Sequence, residues 1–177
     1  CCPLAQLLQC RGGAGGAGTW LRVSNESEGH SLSDFAFSCE TVADANADAR
    51  TVAASLVTAD LWGHPSHGML RLPWYVARLQ SGAMNPVTEP EVVSAFGAVS
   101  VLDGRDGVGQ IVTARAVDLA ADNAATHGVA VVAVRNSNHF GTAAYWTRIL
   151  AERGCVGILT TNGSPAMAPW GGLRKMV

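Results

Sequence analysis

"GQIVTARAVDLAADNAATHGVAVVAVR", residues 109–135, decides the fold class. Its first part carries apolar residues at helical spacing and ends at Gly128, a natural helix stop. The run "VAVVAVR" that follows is continuous and β-branched, the pattern of a strand buried on both faces. "FGTAAYWTRILAERG" then reads as another helix ending at Gly154, and "CVGILTTN", residues 155–162, as another buried strand. Helix, strand, helix, strand from residue 108 onward implies an α/β layer with some parallel pairing.

Upstream, "EVVSAFGAVSVLDG" reads as two strands joined near Gly97, a hairpin. "ETVADANADARTVAASLVTADLWG" is an alanine-rich amphipathic helix with Gly63 as its stop. Ser66 is placed to cap a further helix through "HGMLRLPWYVARLQSG", stopping at Gly82, with a kink or restart at Pro73. The expected class is therefore α/β. N-terminal helices (31–82) precede a core (83–177) that opens with a hairpin and continues as alternating helix and strand.

Residues 1–30 differ from the rest and read as a flexible leader. Gly13, Gly15 and Gly18 satisfy G-x-G-x-x-G literally, but no β-branched strand precedes them and no apolar helix follows, so the Rossmann reading is rejected. The chain starts at Cys1 and stops inside what reads as a glycine turn, Gly171-Gly172, which suggests a fragment. The net charge of −2 brings no basic patch and argues against nucleic acid as a partner. No apolar run reaches the ~20 residues of a membrane span. The five cysteines are odd in number and lack C-x-x-C spacing, which favours a reducing, cytoplasmic setting. Charged residues are only 15% of the chain, below the usual ~25%, a hint of buried subunit interfaces.

Three stretches can carry chemistry. His67, Arg71 and Tyr75 stand at i, i+4 and i+8, one stripe of a continuous helix. An imidazole, a guanidinium and a phenol suit a small carboxylate, with Arg71 as the bidentate grip. The same spacing also describes a solvated polar face. "RNSNHFG", residues 135–141, follows a strand, where α/β sheets bind ligands, and this makes His139 a candidate; capping of the next helix is the alternative. "TTNGSPAMAPWGG", residues 160–172, is a small-residue loop suited to backbone contact with a cofactor. His64 and His67 could also be metal ligands, but Pro65 between them and the lack of a nearby acid make a poor zinc set, so no metal is expected.

Read in order, "ADLWGHPSHGMLRLPWYVARLQSGAMNP", "VLDGRDGVGQ", "AVRNSNHFGTAAYW" and "TTNGSPAMAPWGG" resemble the malate/L-lactate dehydrogenase family of the second, non-Rossmann type, over about residues 40–172. The resemblance implies an oxidoreductase that uses NAD or NADP to interconvert 2-hydroxy and 2-oxo carboxylates. It also implies a non-Rossmann α/β architecture, here truncated, and a homodimer. It places His67 and His139 on acid/base positions, without choosing between them. Arg71 and Tyr75 fall on the substrate side, and Asn162, Gly163, Ser164 and Pro165 on a loop at the cofactor. Two other readings stand beside it: an inactive fragment or interaction domain, and a metal-dependent hydrolase using His64, His67 and His139.

Overall fold

A computed structural model of the chain describes residues 8–12, 19–23, 35–37, 42–163 and 172–174. Three strands form the main sheet: β4 (Glu91–Phe96), β5 (Val99–Gly107) and β6 (Val131–Ser137), in the order β4-β5-β6. The expected hairpin is present. β4 and β5 pair antiparallel, Phe96 opposite Val99, across a turn in which Gly97 has φ +54°. β5 and β6 pair parallel, Val99 opposite Val131 and Asp103 opposite Arg135. Parallel neighbours cannot be joined by a tight turn, and helix α3 (Gly109–His127) supplies the crossover. It ends where Gly128, at φ +77°, turns left-handed and donates its N–H to the Ala124 carbonyl. The mixed α/β class expected from the alternating pattern is the one observed.

Helix α1 (Val42–Leu61) ends at Gly63, and α4 (Ala143–Glu152) at Gly154; both glycines have positive φ. Helix α2 (Leu72–Gln80) holds Pro73 in its first turn, where the missing N–H is one the helix would leave unpaired anyway. The restart expected at Pro73 is therefore real. Ser66 does not cap a helix. It lies inside a single 3-10 turn, Pro65–His67, which Gly68 separates from a second, Met69–Arg71. Among the described residues no helix is long and apolar enough to cross a membrane.

Within residues 1–30, β1 (Leu8–Gly12) and β2 (Thr19–Val23) pair antiparallel, and β2 continues onto β3 (Phe35–Phe37) ahead of the helices. The glycine run between β1 and β2 lies outside the described residues. β6 was expected to be buried on both faces, yet Val131 and Val134 are exposed. Only Val132 packs inward, against Leu102, Val112 and Ala116. α3 covers one face of the strand, and among the described residues nothing covers the other. Residues 155–162 form no strand, and Val156 and Ile158 are almost fully exposed, because no neighbouring strand supplies a ladder there.

The larger core joins three helices. Ala49, Val52 and Leu56 of α1 meet Tyr75 and Val76 of α2, Met84, and Val108 and Ile111 at the start of α3. Past Asp103 the β5–β6 register breaks, and Arg105 and Asp106 take left-handed φ values of 50° and 57°. Asp103 holds this excursion together. Its carboxylate accepts from the Arg105 backbone N–H, from Arg135 Nε at 2.8 Å and from Asn136 Nδ2 at 3.0 Å.

The first turn of α3 lies directly on the peptide that follows β6. A Cβ at Gly109 would overlap the carbonyl oxygens of Asn138 and His139, which are main-chain atoms and cannot swing aside. Overpacking of this kind costs ~1–3 kcal/mol. Gly109→Ala should lower the thermal unfolding midpoint by several degrees. Gly163→Ala, at a position with nothing within 4 Å of a Cβ, should leave it unchanged. Equal midpoints for the two variants in a calorimetric scan would contradict this packing.

Candidate active site

The site is assembled from two segments far apart in the chain. The first is the pair of 3-10 turns with the start of α2. Asp60, in the last turn of α1, accepts the Met69 N–H at 3.0 Å. The bare Cα of Gly68 fits against the same carboxylate, where any Cβ would collide with it. This tether sets the position of His67 on one side of Gly68 and Arg71 on the other. The second segment is the loop after β6, residues 138–141.

That loop is pinned from several directions. Asn138 Nδ2 donates to the carbonyls of Asp106 and Gly107, at 2.8 and 3.0 Å. Its Oδ1 accepts from Arg78 Nη2 at 2.9 Å. Trp146, buried in α4, donates its indole N–H to the Phe140 carbonyl at 2.9 Å. Gly141 turns at φ +82°, and Gly109 supports the loop from below. A side chain with neighbours fixed this way is held in a narrow range of positions.

His67, Arg71 and Tyr75 were expected on one continuous helical stripe. They are not, because the two 3-10 turns interrupt it. The tertiary fold nevertheless gathers all three around His139. Tyr75 Oη lies 2.6 Å from His139 Nδ1, across 64 residues of chain. The His67 and His139 rings stack with centroids 5.4 Å apart. Trp74 closes the cluster, its ring set edge-on to His139 at 5.8 Å. Arg78 lies over the Trp74 ring at 5.1 Å and Arg71 at 5.9 Å. Arg71 also donates Nε–H to the Ser66 carbonyl at 2.6 Å, which leaves its two terminal amino groups for another acceptor.

Hydrogen bonding fixes the proton on His139. The Gly141 N–H points at Nδ1 from 3.2 Å, and a backbone N–H can only donate. Nδ1 is therefore an acceptor, the Tyr75 hydroxyl donates to it, and the neutral ring carries its hydrogen on Nε2. Burial depresses the His139 pKa to about 4, helped by the charges of Arg71 and His67. Burial raises the Tyr75 pKa to about 12, against opposing effects of Gln110 and Arg71, so the phenol keeps the proton it donates. His67 is lowered from the usual imidazole value by burial first, then by Arg71 and His64. Its Nδ1 lies 2.9 Å from Ser66 Oγ, the bond Ser66 makes in place of a helix cap.

The other candidates stand apart. His64 precedes the first 3-10 turn, is exposed, and touches the site only through its field at His67. Asn162 and Gly163 are exposed beyond α4, and Ser164 and Pro165 lie outside the described residues. Among the described residues no three His, Cys, Asp or Glu side chains gather closely enough to hold a metal. Sequence reading passed over Trp74, Arg78, Asn138 and Gln110. Gln110 left a signal: it shares the inward stripe of α3 with Thr113, Val117 and Ala121, an amide where an apolar residue is the rule.

Comparison with known proteins gives this chain a family. The family model for malate/L-lactate dehydrogenase matches residues 32–177, leaving the leader outside it. L-sulfolactate dehydrogenase of Methanocaldococcus jannaschii is 43% identical over 130 residues, which is 73% of this chain and 38% of that protein. Malate dehydrogenase of Pyrococcus abyssi is 42% identical over 130 residues, covering 73% of this chain and 36% of that protein. The solved structure of malate dehydrogenase from Pyrococcus horikoshii OT3 superposes with a TM-score of 0.65 at 38% identity, over 73% of this chain and 37% of that one. The chain thus spans little more than a third of the length of these relatives. Matched from residue 32 to its last residue, and sharing the fold of solved members, this chain belongs to the malate/L-lactate dehydrogenase family.

Proposed function

We propose that the chain carries the substrate-side part of a dehydrogenase that interconverts a 2-hydroxy carboxylate and its 2-oxo form, with His67 moving the proton and His139 serving as a neutral hydrogen-bond donor. The relatives named malate and sulfolactate dehydrogenase give the reaction class. The observation that carries the division of labour is the pair of donors on His139 Nδ1. A ring whose Nδ1 is already engaged twice, and whose pKa is about 4, does not cycle its proton near neutral pH. It can still offer Nε2–H to the substrate oxygen.

His67 suits the other role. Its midpoint lies below the ordinary imidazole value but without the heavy burial of His139. In oxidation it accepts the hydroxyl proton; in reduction it returns a proton to the oxygen formed at C2. Arg71, with two amino groups unspent, takes the carboxylate as a bidentate fork. Tyr75 acts on the substrate side through His139. NAD or NADP would supply or accept the hydride. Asn162, Gly163, Ser164 and Pro165 are proposed for its contacts; the open space around Gly163 leaves room for close backbone approach. A homodimer and a cytoplasmic setting belong to the same proposal.

Binding tests this reading independently of turnover. L-malate should shift the ring resonances of His67 and His139, while succinate, which lacks the 2-hydroxyl, should leave His139 unmoved. Arg71→Lys keeps the charge but loses the fork, and should weaken malate binding by roughly 10- to 100-fold. Indistinguishable responses to malate and succinate, with no effect of Arg71→Lys, would overturn the proposal.

In turnover with NAD or NADP, His67→Gln should cost on the order of 10²–10⁴ in kcat. The pH profile follows from the sign of the shift. Oxidation needs neutral His67, so its acid limb should fall below pH 6.5. Reduction needs the protonated ring and should decline as pH rises through that same lowered midpoint. His139→Asn should reduce kcat yet keep the acid limb. An acid limb that disappears in His139→Asn and survives in His67→Gln would reverse the assignment.

A further inference from the structure

Arg78 plays no part in the proton transfer described above, yet its Nε is buried and has no hydrogen-bond partner among the described residues. Buried donors left in that state call for an explanation. The rest of the guanidinium supplies one. Nη2 uses both of its hydrogens, one on the Ala83 carbonyl at 3.0 Å and one on Asn138 Oδ1 at 2.9 Å. Ala83 lies just past the end of α2, and the Trp74 ring faces the guanidinium from 5.1 Å. The cation is therefore held against its own helix before it reaches Asn138. Asn138 can meet it in one orientation. Its Nδ2 donates to the Asp106 and Gly107 carbonyls, which leaves Oδ1 for the cation.

We propose that Arg78 is a positioning residue: its bond to Asn138 runs beside the Tyr75–His139 bond and holds α2 and the 138–141 loop at the separation that keeps Tyr75 Oη on His139 Nδ1. Tyr75 and Arg78 are three residues apart on α2 and project from one face. Asn138 and His139 are consecutive. Two hydrogen bonds thus span the same gap side by side. A single bond fixes a distance but lets the two segments pivot about it, and a second bond beside it removes the pivot. The geometry matters because an O–H···N bond weakens steeply with distance and misalignment, and the Tyr75 contact is only 2.6 Å long. The Arg78 link is charge-assisted, so it is about twice as strong as a neutral bond. No proton moves along it; Arg78 acts on substrate only through the placement of His139.

The inference rests on the reading of His139 as a neutral donor, and nitrogen NMR of the imidazole separates the two. In the wild-type chain His139 should show an unprotonated, hydrogen-bonded Nδ1 and a protonated Nε2; the opposite tautomer would defeat the underlying reading. Arg78→Met removes the anchor, and Asn138→Ala breaks the same bond without altering charge. Each should move the Nδ1 resonance toward that of an unbonded imidazole nitrogen. Each should also raise the proton affinity of His139 by about threefold or more, read as an upward shift of its titration midpoint. Combining them should displace Nδ1 little further than either alone, because they share one bond. Tyr75→Phe should give the full displacement, and Asn138→Ala should add nothing to it in that background. An Nδ1 resonance unchanged in both single variants, or displaced equally with and without the Tyr75 hydroxyl, would overturn the role of Arg78 and leave that of His139 standing. Arg78→Gln provides the same comparison should the methionine variant unfold.

Discussion

The first turn of α3 rests on the peptide joining Asn138 to His139, and the site depends on that close approach. It exists because residue 109 is glycine; a side chain there would occupy the space of two main-chain carbonyls. The contact brings α3, which crosses from β5 to β6, under the loop that leaves β6. It also sets how Val108 and Ile111 enter the core around Tyr75. The loop above is then closed from the sides by Arg78, Trp146 and the Asp106 and Gly107 carbonyls, which follow the left-handed Arg105 and Asp106. Strain held next to a reactive group in this way is a frequent property of functional sites.

Within that frame, two histidines of one residue type are given different chemistry by their surroundings. His139 is half-buried, carries two donors on one nitrogen and faces the charge of Arg71, so it stays neutral. His67 sits on a more open turn, with a hydroxyl at Nδ1 and a smaller depression of its midpoint. Stacked side by side, they resemble other paired titratable groups whose environments drive their pKa values apart. Asp60 keeps the pair in register by holding the Gly68–Met69 backbone.

Much of the local structure was legible in the sequence. Gly63, Gly82, Gly97, Gly128 and Gly154 mark turns or helix ends, and all have positive φ. Pro73 marked a helix restart, since its ring is tolerated only in a first turn. The parallel pairing expected in general terms from the alternation after residue 108 occurs between β5 and β6, not with residues 155–162. The strand expected at 155–162 and the burial expected for β6 were not legible. An apolar run records that a segment has something to bury, but a partner strand or covering layer is a property of the rest of the fold. Ser66 misled for a related reason: a hydroxyl ahead of an apolar run suits a cap or a side-chain partner equally, and here His67 Nδ1 takes it.

By itself, then, the sequence determined the periodicities, the breaks between them and the residue types able to handle a carboxylate and a proton. These are local properties, set by side-chain shape and backbone freedom over a few neighbouring residues. The tertiary structure decided that Tyr75 and His139 meet across 64 residues, and that His67 stacks on His139 although no continuous helix carries it there. Hydrogen-bond direction and burial arise only when distant segments share a volume, and it is they that assign the tautomer of His139 and lower the pKa of both His67 and His139.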